Sequence, residues 1–233
     1  NYFISYLIQN VIFKKSFVIN FASNDRSIIK DSIKLAKRAI DLVSLNNFKF
    51  YTIHAGFLFD PKVNMLGDKP VPKEIFTRSN AIKNFVKNIK ILNKYANTKQ
   101  VKLLIENNVV SRKQYAIYDY VPLMCDIQET KKIMHLLPNN IKMLLDFGHL
   151  NVSSNVLGFS RSKYIYQLDN FIDAYHLSDN NGLSDQNKKF NTKSWFWNFI
   201  KKNKKFCAVE VYSQDIKQLK QQMKLAKKII SKI

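Results

Sequence analysis

Cysteine is scarce in this chain, and the two present exclude a pair of chemistries. Cys125 and Cys207 lie far apart and form no C-x-x-C, so no dithiol redox pair or thiolate zinc knuckle is encoded. Both read as reduced thiols of a cytoplasmic protein. Long apolar runs are also missing. The stretch 2–13 falls short of the roughly 20 residues needed to cross a bilayer, so no membrane span is expected. Lys14-Lys15 follows that stretch, whereas a signal peptide carries its positive residues first. Arginine is rare as well: five of the 38 basic residues, so lysine dominates the net charge of +21. Asparagine is abundant, and the joint bias is that of an AT-rich coding sequence. Nucleic-acid readers depend on the bidentate geometry of arginine, so a nucleic-acid partner is disfavoured. A basic surface would still draw in an anionic substrate such as a sugar phosphate. The run Lys201-Lys202-Asn203-Lys204-Lys205 reads as a solvated helix end. There is no Gly-rich phosphate loop, no G-x-S-x-G and no Cys–His pairing, which excludes P-loop chemistry, the nucleophile elbow and a thiol nucleophile.

What is present suits one large core. The chain has 233 residues, 46% hydrophobic and 13% aromatic, with no internal repeat and no linker-like shift in composition. A single domain over 1–233 is expected. Residues 1–20 are β-rich (Tyr2, Phe3, Ile4, then Phe17, Val18, Ile19), and a helix over 26–45 carries Ile29, Ile33, Ala36, Ile40 and Val43 on one stripe. Strands are predicted at 48–53, 101–105, 141–145, 172–177 and 206–211. Helices are predicted at 74–95, 126–137, 162–168, 195–202 and 215–230, and loops at 57–72, 107–125 and 178–194. Strands alternating with helices predict a parallel sheet built from βα units. In Ser194-Trp195-Phe196-Trp197 the aromatics read as core packing ahead of a pocket wall.

The stretch Leu144-Leu145-Asp146-Phe147-Gly148-His149 organises the rest. Two apolar residues end at an acid, and a histidine follows three residues later across a glycine that lets the backbone turn. Asp and His at i and i+3 past a strand end can face one point, as a divalent cation requires. Four further strands end likewise: His54, Glu106, His176 and Glu210 each lie at or near a strand end. Singly, each has a plainer reading. Glu106 could cap its loop, Glu210 could pair with a lysine, His176 could be a hydrogen-bonded core histidine, and Asp146 could cap the next helix. Jointly, five strand ends converge more readily in a closed (β/α) barrel than in an open sheet. Glu, Asp, His and Glu form a hard, mostly oxygen ligand set suited to Mn²⁺, Mg²⁺ or Co²⁺, with Zn²⁺ also accommodated. Asn107 and Asn108 could meet sugar hydroxyls or make the turn.

The segments Ile53-His54-Ala55-Gly56, Leu104-Ile105-Glu106-Asn107, Asp146-Phe147-Gly148-His149, Tyr175-His176-Leu177-Ser178-Asp179-Asn180 and Val209-Glu210, in that order, resemble the xylose isomerase-like TIM barrels. These include sugar phosphate isomerases and epimerases and, more distantly, endonuclease IV. The resemblance implies a (β/α)8 barrel. Because the chain starts at Asn1 rather than Met, incompleteness near the first strand is also expected. It implies Glu106, Asp146, His176 and Glu210 as ligands of a divalent metal, with Glu106 and Glu210 doubling as acid and base on opposite faces of a sugar. The metal would polarise the substrate oxygens while a carboxylate moves the proton. His54, Asn108, His149 and Asp185 are the expected substrate contacts. The expected activity is a metal-dependent isomerase or epimerase acting on a sugar or sugar phosphate, with a homo-oligomer compatible with this reading. The endonuclease branch needs a histidine-rich trinuclear zinc site, but this chain has four His and places Asp185-Gln186-Asn187 where that branch has Asp-x-His. A phosphodiesterase, or a barrel that binds without catalysis, are the alternatives.

Overall fold

Polar caps and period-two strands divide the chain much as the hydrophobic periodicity predicts. The computed structural model describes residues 17–63, 74–201, 206–213 and 215–232. In chain order it contains α1 (Arg26–Leu45), β1 (Phe50–His54), α2 (Arg78–Thr98), β2 (Lys102–Glu106), α3 (Arg112–Tyr118) and α4 (Ile127–Leu136). There follow β3 (Lys142–Asp146), α5 (Phe147–Leu157), α6 (Arg161–Leu168), β4 (Ile172–Leu177), a 3-10 turn (Trp195–Phe199), β5 (Phe206–Val209) and α7 (Ile216–Ile230).

Each helix starts where a short polar side chain can accept a backbone N–H that the helix leaves free. Asp25 caps α1 through Ser27 N–H at 2.7 Å, and Asp126 caps α4 through Glu129 N–H at 2.9 Å. The same rule corrects one boundary. The helix expected from Glu74 begins at Arg78, because Thr77 is extended and accepts from Asn80 N–H. A second correction concerns the loop predicted over 107–125, which contains α3. Ser111 and Gln114 form a reciprocal capping box that nucleates it. Of the predicted N-terminal strands, Tyr2, Phe3 and Ile4 lie outside the described residues, and 17–20 carry no strand. The Asn20 N–H goes to the Ser32 hydroxyl at 3.2 Å instead of to a ladder.

The five strands are all parallel and lie in sequence order, β1-β2-β3-β4-β5. A doubly wound sheet would reverse that order at a switch point; this one is wound in a single direction, as in a barrel. It is also curled. A flat sheet would hold β1 and β5 roughly 19 Å apart, yet the rings of Phe50 and Phe206 from those two strands lie 6.1 Å apart. Among the described residues the architecture is a five-stranded half-barrel. Inside the curl, Leu104, Leu144 and Ala174 pack with Phe50. Outside it, the helices cover the sheet through a second core that includes Leu103, Ile105, Leu145, Phe147, Tyr175 and Phe196. Phe196 is fully buried and stacks on Phe147 at 5.1 Å, which places it in the core, as the sequence suggests.

Polar clamps fix the loops at the carboxyl ends of the strands. Asn20 is fully buried; its amide donates to the carbonyls of Phe57 and Phe59 and to Asp60, and its Oδ1 accepts from Ala22 and Phe57 N–H. Glu129 accepts from Arg78 at 2.7 Å and from Met124 N–H at 2.8 Å, holding the loop before α4 against the start of α2. Among the described residues no helix is long and apolar enough to cross a membrane.

Replacing Asn20 by Ala strands buried donors and acceptors on both sides of the loop after β1. The expected loss is about 3 kcal/mol, read as a lower urea midpoint at unchanged slope. A midpoint equal to wild type would show that these bonds do not hold the loop.

Candidate metal centre

Strand geometry assembles the site. Successive side chains alternate between faces, so residues two apart point the same way. Leu104 and Leu144 face the interior, and so therefore do Glu106 and Asp146; Ala174 sets the same face for His176. The register pairs His54 with Glu106 and Asp146 with His176, while Glu106 stands opposite Leu144, two residues before Asp146, so the four side chains converge across a staggered sheet. Glu210 lies just past β5, and its N–H still bonds Leu177 C=O at 3.0 Å, which carries the ladder one step further. The predicted residues Glu106, Asp146, His176 and Glu210 offer ligand atoms that all lie within 4.8 Å of one another.

His176 Nδ1 is the meeting point. It lies 3.1 Å from Glu106 Oε1, 2.9 Å from Glu210 Oε2 and 3.6 Å from Asp146 Oδ2. One ring nitrogen carries at most one proton, and the hydrogen bond goes to Glu106. Asp146 Oδ2 and Glu210 Oε2 are buried without a hydrogen-bond donor. Two carboxylates at such separations repel by roughly 3–4 kcal/mol at an effective dielectric near 20, and three converge. An O₃N donor set with two buried, undonated carboxylate oxygens is the chemistry of a divalent cation site. The residues present fit such an ion.

Asp146 has two functions at once. Its Oδ1 caps α5 by accepting from His149 N–H at 2.7 Å, while Oδ2 faces the cluster. The cap and ligand readings of this residue are compatible, because a carboxylate has two oxygens. The same cap brings His149 into the site. Its Nδ1 lies 2.8 Å from Asn107 C=O, so it must donate there, and Nε2 points at Asp185 Oδ2, 3.4 Å away. His54 stands beside it, with ring centroids 5.7 Å apart and Nε2 3.7 Å from Glu106 Oε2. His54, Glu106 and His149 form a second group able to hold a metal, sharing Glu106 with the first. His149 Nδ1 is already committed to Asn107, which favours the Glu–Asp–His–Glu group.

Burial grades outward. The Asp146 and Glu106 side chains are 0% and 3% exposed, against 21% for Glu210, 25% for Asp185 and 34% for His54. Among the described residues the site therefore opens to solvent past His54, Asp185 and Glu210. Burial pushes the Glu106 carboxyl up, but His54, His176 and His149 outweigh it and hold it below the usual range. Asp146 is likewise lowered, with burial opposed by His149 and His176. Burial would lower both imidazoles, yet the surrounding acids raise His149 and His176 well above the ordinary histidine value.

Asn108 is buried, and its amide donates to Ala55, Gly56 and Leu123 C=O, which commits those donors to the backbone. His135 lies outside the site on α4 and packs edge-on against Phe171. Sequence reasoning left Asn107 as either a turn or a sugar contact; in the structure its side chain bonds the Asp146 backbone. The role of Gly148 is steric. An added Cβ would stand 2.5 Å from Ser178 Oγ, 3.1 Å from Asp146 Oδ1 and 3.2 Å from Asn180 Nδ2.

Comparison with known proteins identifies the fold. A family model described as xylose isomerase-like TIM barrel matches residues 5–229. No curated protein sequence matches the chain. Among solved structures, a D-tagatose 3-epimerase-like protein superposes with a TM-score of 0.70 at 16% identity, covering 98% of this chain and 82% of its own. D-psicose 3-epimerase with D-tagatose from Clostridium cellulolyticum gives 0.65 at 15% identity, covering 94% and 75%. A Thermus thermophilus protein soaked with ZnCl₂ gives 0.57 at 15% identity, covering 96% and 83%. At such identities the likeness shows the fold.

The close approach at Gly148 sets a test. Gly148→Ala is expected to cost roughly 1–3 kcal/mol through the clash with Ser178. Adding Ser178→Ala should recover part of that loss in a double-mutant cycle. Purely additive effects in urea unfolding would mean that Ser178 is not what requires the glycine.

Proposed function

The chain belongs to the xylose isomerase-like TIM barrel family, and from that premise we propose that it is a divalent-metal-dependent isomerase or epimerase acting on a sugar or sugar phosphate. The observation that carries this reading is the convergence of Glu106, Asp146, His176 and Glu210 from four consecutive strands, with two buried carboxylate oxygens left without a donor. The sugar 3-epimerases among the structural neighbours support the substrate class, and the zinc-soaked neighbour supports a metal.

In this reading Glu106, Asp146, His176 and Glu210 hold one divalent ion, Mn²⁺, Mg²⁺, Co²⁺ or Zn²⁺. Such an ion, when bound, supplies Lewis-acid polarisation of adjacent substrate oxygens. The rest is done by side chains. Glu106 is ionised near neutral pH, since the histidines around it hold its carboxyl low, and so it can accept a proton from the carbon beside a carbonyl. The electron pair moves onto the carbonyl oxygen. Glu210, nearer solvent, takes up a proton from water and delivers it to the other face of the carbon as the carbonyl re-forms, Glu106 later releases its proton to water, and inversion at that carbon is epimerisation. The same pair serving adjacent carbons gives an isomerase. His54, His149 and Asp185 line the entrance and contact hydroxyls, while Asn108 fixes the loops behind them.

Elemental analysis should find about one divalent metal per chain in wild type and less in Glu210→Gln. Both Glu106→Gln and Glu210→Gln should lower turnover about 10²- to 10⁴-fold across a panel of ketohexoses and their phosphates. They should also slow the wash-in of solvent deuterium at the carbon beside the carbonyl. Wild-type metal content and unchanged turnover in both variants would end this reading.

A further inference from the structure

We infer that Asn107 is a positioning residue that sets the affinity of the site for its cation by tying Asp146 and His149 to the strand that carries Glu106. The inference rests on the metal-site reading above and extends it to a residue whose side chain touches neither the ligating carboxylate oxygens nor a substrate.

The starting observation is where the ladder stops. Backbone pairing of β2 with β3 runs as far as Glu106 opposite Leu144. Beyond that point the side chain of Asn107 takes over. Its Oδ1 accepts from Asp146 N–H at 2.8 Å, and its Nδ2 donates to Asp146 C=O at 3.2 Å. A primary amide presents one acceptor and one donor side by side, the same pattern a strand would offer. Asn107 therefore acts as one more rung, and it fixes the backbone of Asp146 two residues past the last paired position. Its own carbonyl then takes the Nδ1 proton of His149 at 2.8 Å. Because a carbonyl can only accept, this bond requires a proton on Nδ1 and orients the ring with Nε2 facing Asp185. One residue, 2% exposed, thus fixes two neighbours of Glu106, Asp146 and His149.

The physical need follows from the charge. Glu106, Asp146 and Glu210 repel one another, and with no rung at Asp146 that strand end would relax outward and the cation would have to reassemble the site. Outer-shell partners of this kind typically govern metal affinity by about 10- to 100-fold. Asn108, the next residue, provides a control. It is equally buried and also bonds backbone carbonyls, but those of Ala55, Gly56 and Leu123, none of which carries a proposed ligand.

The test is a Co²⁺ titration followed by d–d absorption, with Mn²⁺ calorimetry beside it, on wild type, Asn107→Ala, Asn107→Ser and Asn108→Ala. The serine variant keeps a small uncharged hydrogen-bonding group beside the Asp146 backbone and adds no charge to the cluster, so it should fold where alanine fails. Both Asn107 variants should bind Co²⁺ at least about tenfold more weakly with an altered spectrum, while Asn108→Ala stays within about threefold of wild type. Equal loss in Asn108→Ala would reduce Asn107 to general loop packing, and unchanged affinity in both Asn107 variants would overturn the inference while leaving the proposed function standing. Wild type that binds neither cation would overturn both. A separate readout needs no variant: imidazole ¹⁵N shifts of the metal-free protein should show His149 protonated at Nδ1, and protonation at Nε2 alone would contradict the assigned bond.

Discussion

Three carboxylates cannot share a pocket 4.8 Å across unless positive charge is placed among them and the backbone is held against their repulsion. That constraint organises the carboxyl end of this sheet. Glu106, Asp146 and Glu210 arrive on rigid parallel strands, so the pleat fixes their direction. The His149 and His176 imidazoles are raised by those acids and offset part of the charge. Parallel pairing of β1 to β5 along a curled sheet brings the strand ends closer than a flat sheet would, and so the curl itself creates the site.

The remainder of the fold supplies the support. Below the acids lies the apolar layer of Leu104, Leu144, Ala174 and Phe50, which leaves the carboxylates no water to retreat into on that side. Outside the sheet, Phe147, Tyr175 and Phe196 stack face to face at 5.1 Å and pin the start of α5, the helix capped by Asp146. Above the sheet, buried polar side chains anchor three of the described loop segments beside apolar contacts from Leu58, Phe59 and Leu123. Asn20 secures the loop after β1, Asn108 joins that loop to the segment after β2, and the Arg78–Glu129 pair secures the approach to α4. Loops carry many backbone groups that must find partners when buried, and asparagine, with both a donor and an acceptor, meets that need in a small volume. The asparagine richness of the composition is thus put to structural use at these positions.

Much of the fold was legible because it depends on local pattern. The stripe from Ile29 to Val43 predicts α1 with its observed ends, and the five apolar runs predict five strands within a residue or two. The departures have two causes, a local cap and a distant partner. Thr77 sets the start of α2 and the Ser111–Gln114 box makes a helix inside a predicted loop, both through bonds three residues long that the sequence itself carries. The apolar run Phe17–Val18–Ile19 looked like a strand, yet Asn20 turns to Ser32 and to the loop after β1, contacts 12 and about 40 residues away.

The candidate site divides the same way. Sequence alone determined which residues stand at the strand ends, because an apolar run broken by His54, Glu106, Asp146, His176 or Glu210 announces a buried polar group whose cost must be met. It also determined the period-two spacing that turns those residues inward. Tertiary structure decided what they do to one another. It decided that Asp146 both caps a helix and faces the cluster, that His176 Nδ1 is the point where three carboxylates meet, that Asn107 replaces a rung of backbone pairing, and that the donors of Asn108 are spent on carbonyls. Burial cost is a property of a residue and its neighbours in the chain and can be read from the string. Hydrogen-bond partnership is a property of two residues 39 or 70 positions apart, and it exists only once the sheet has curled and set their distance.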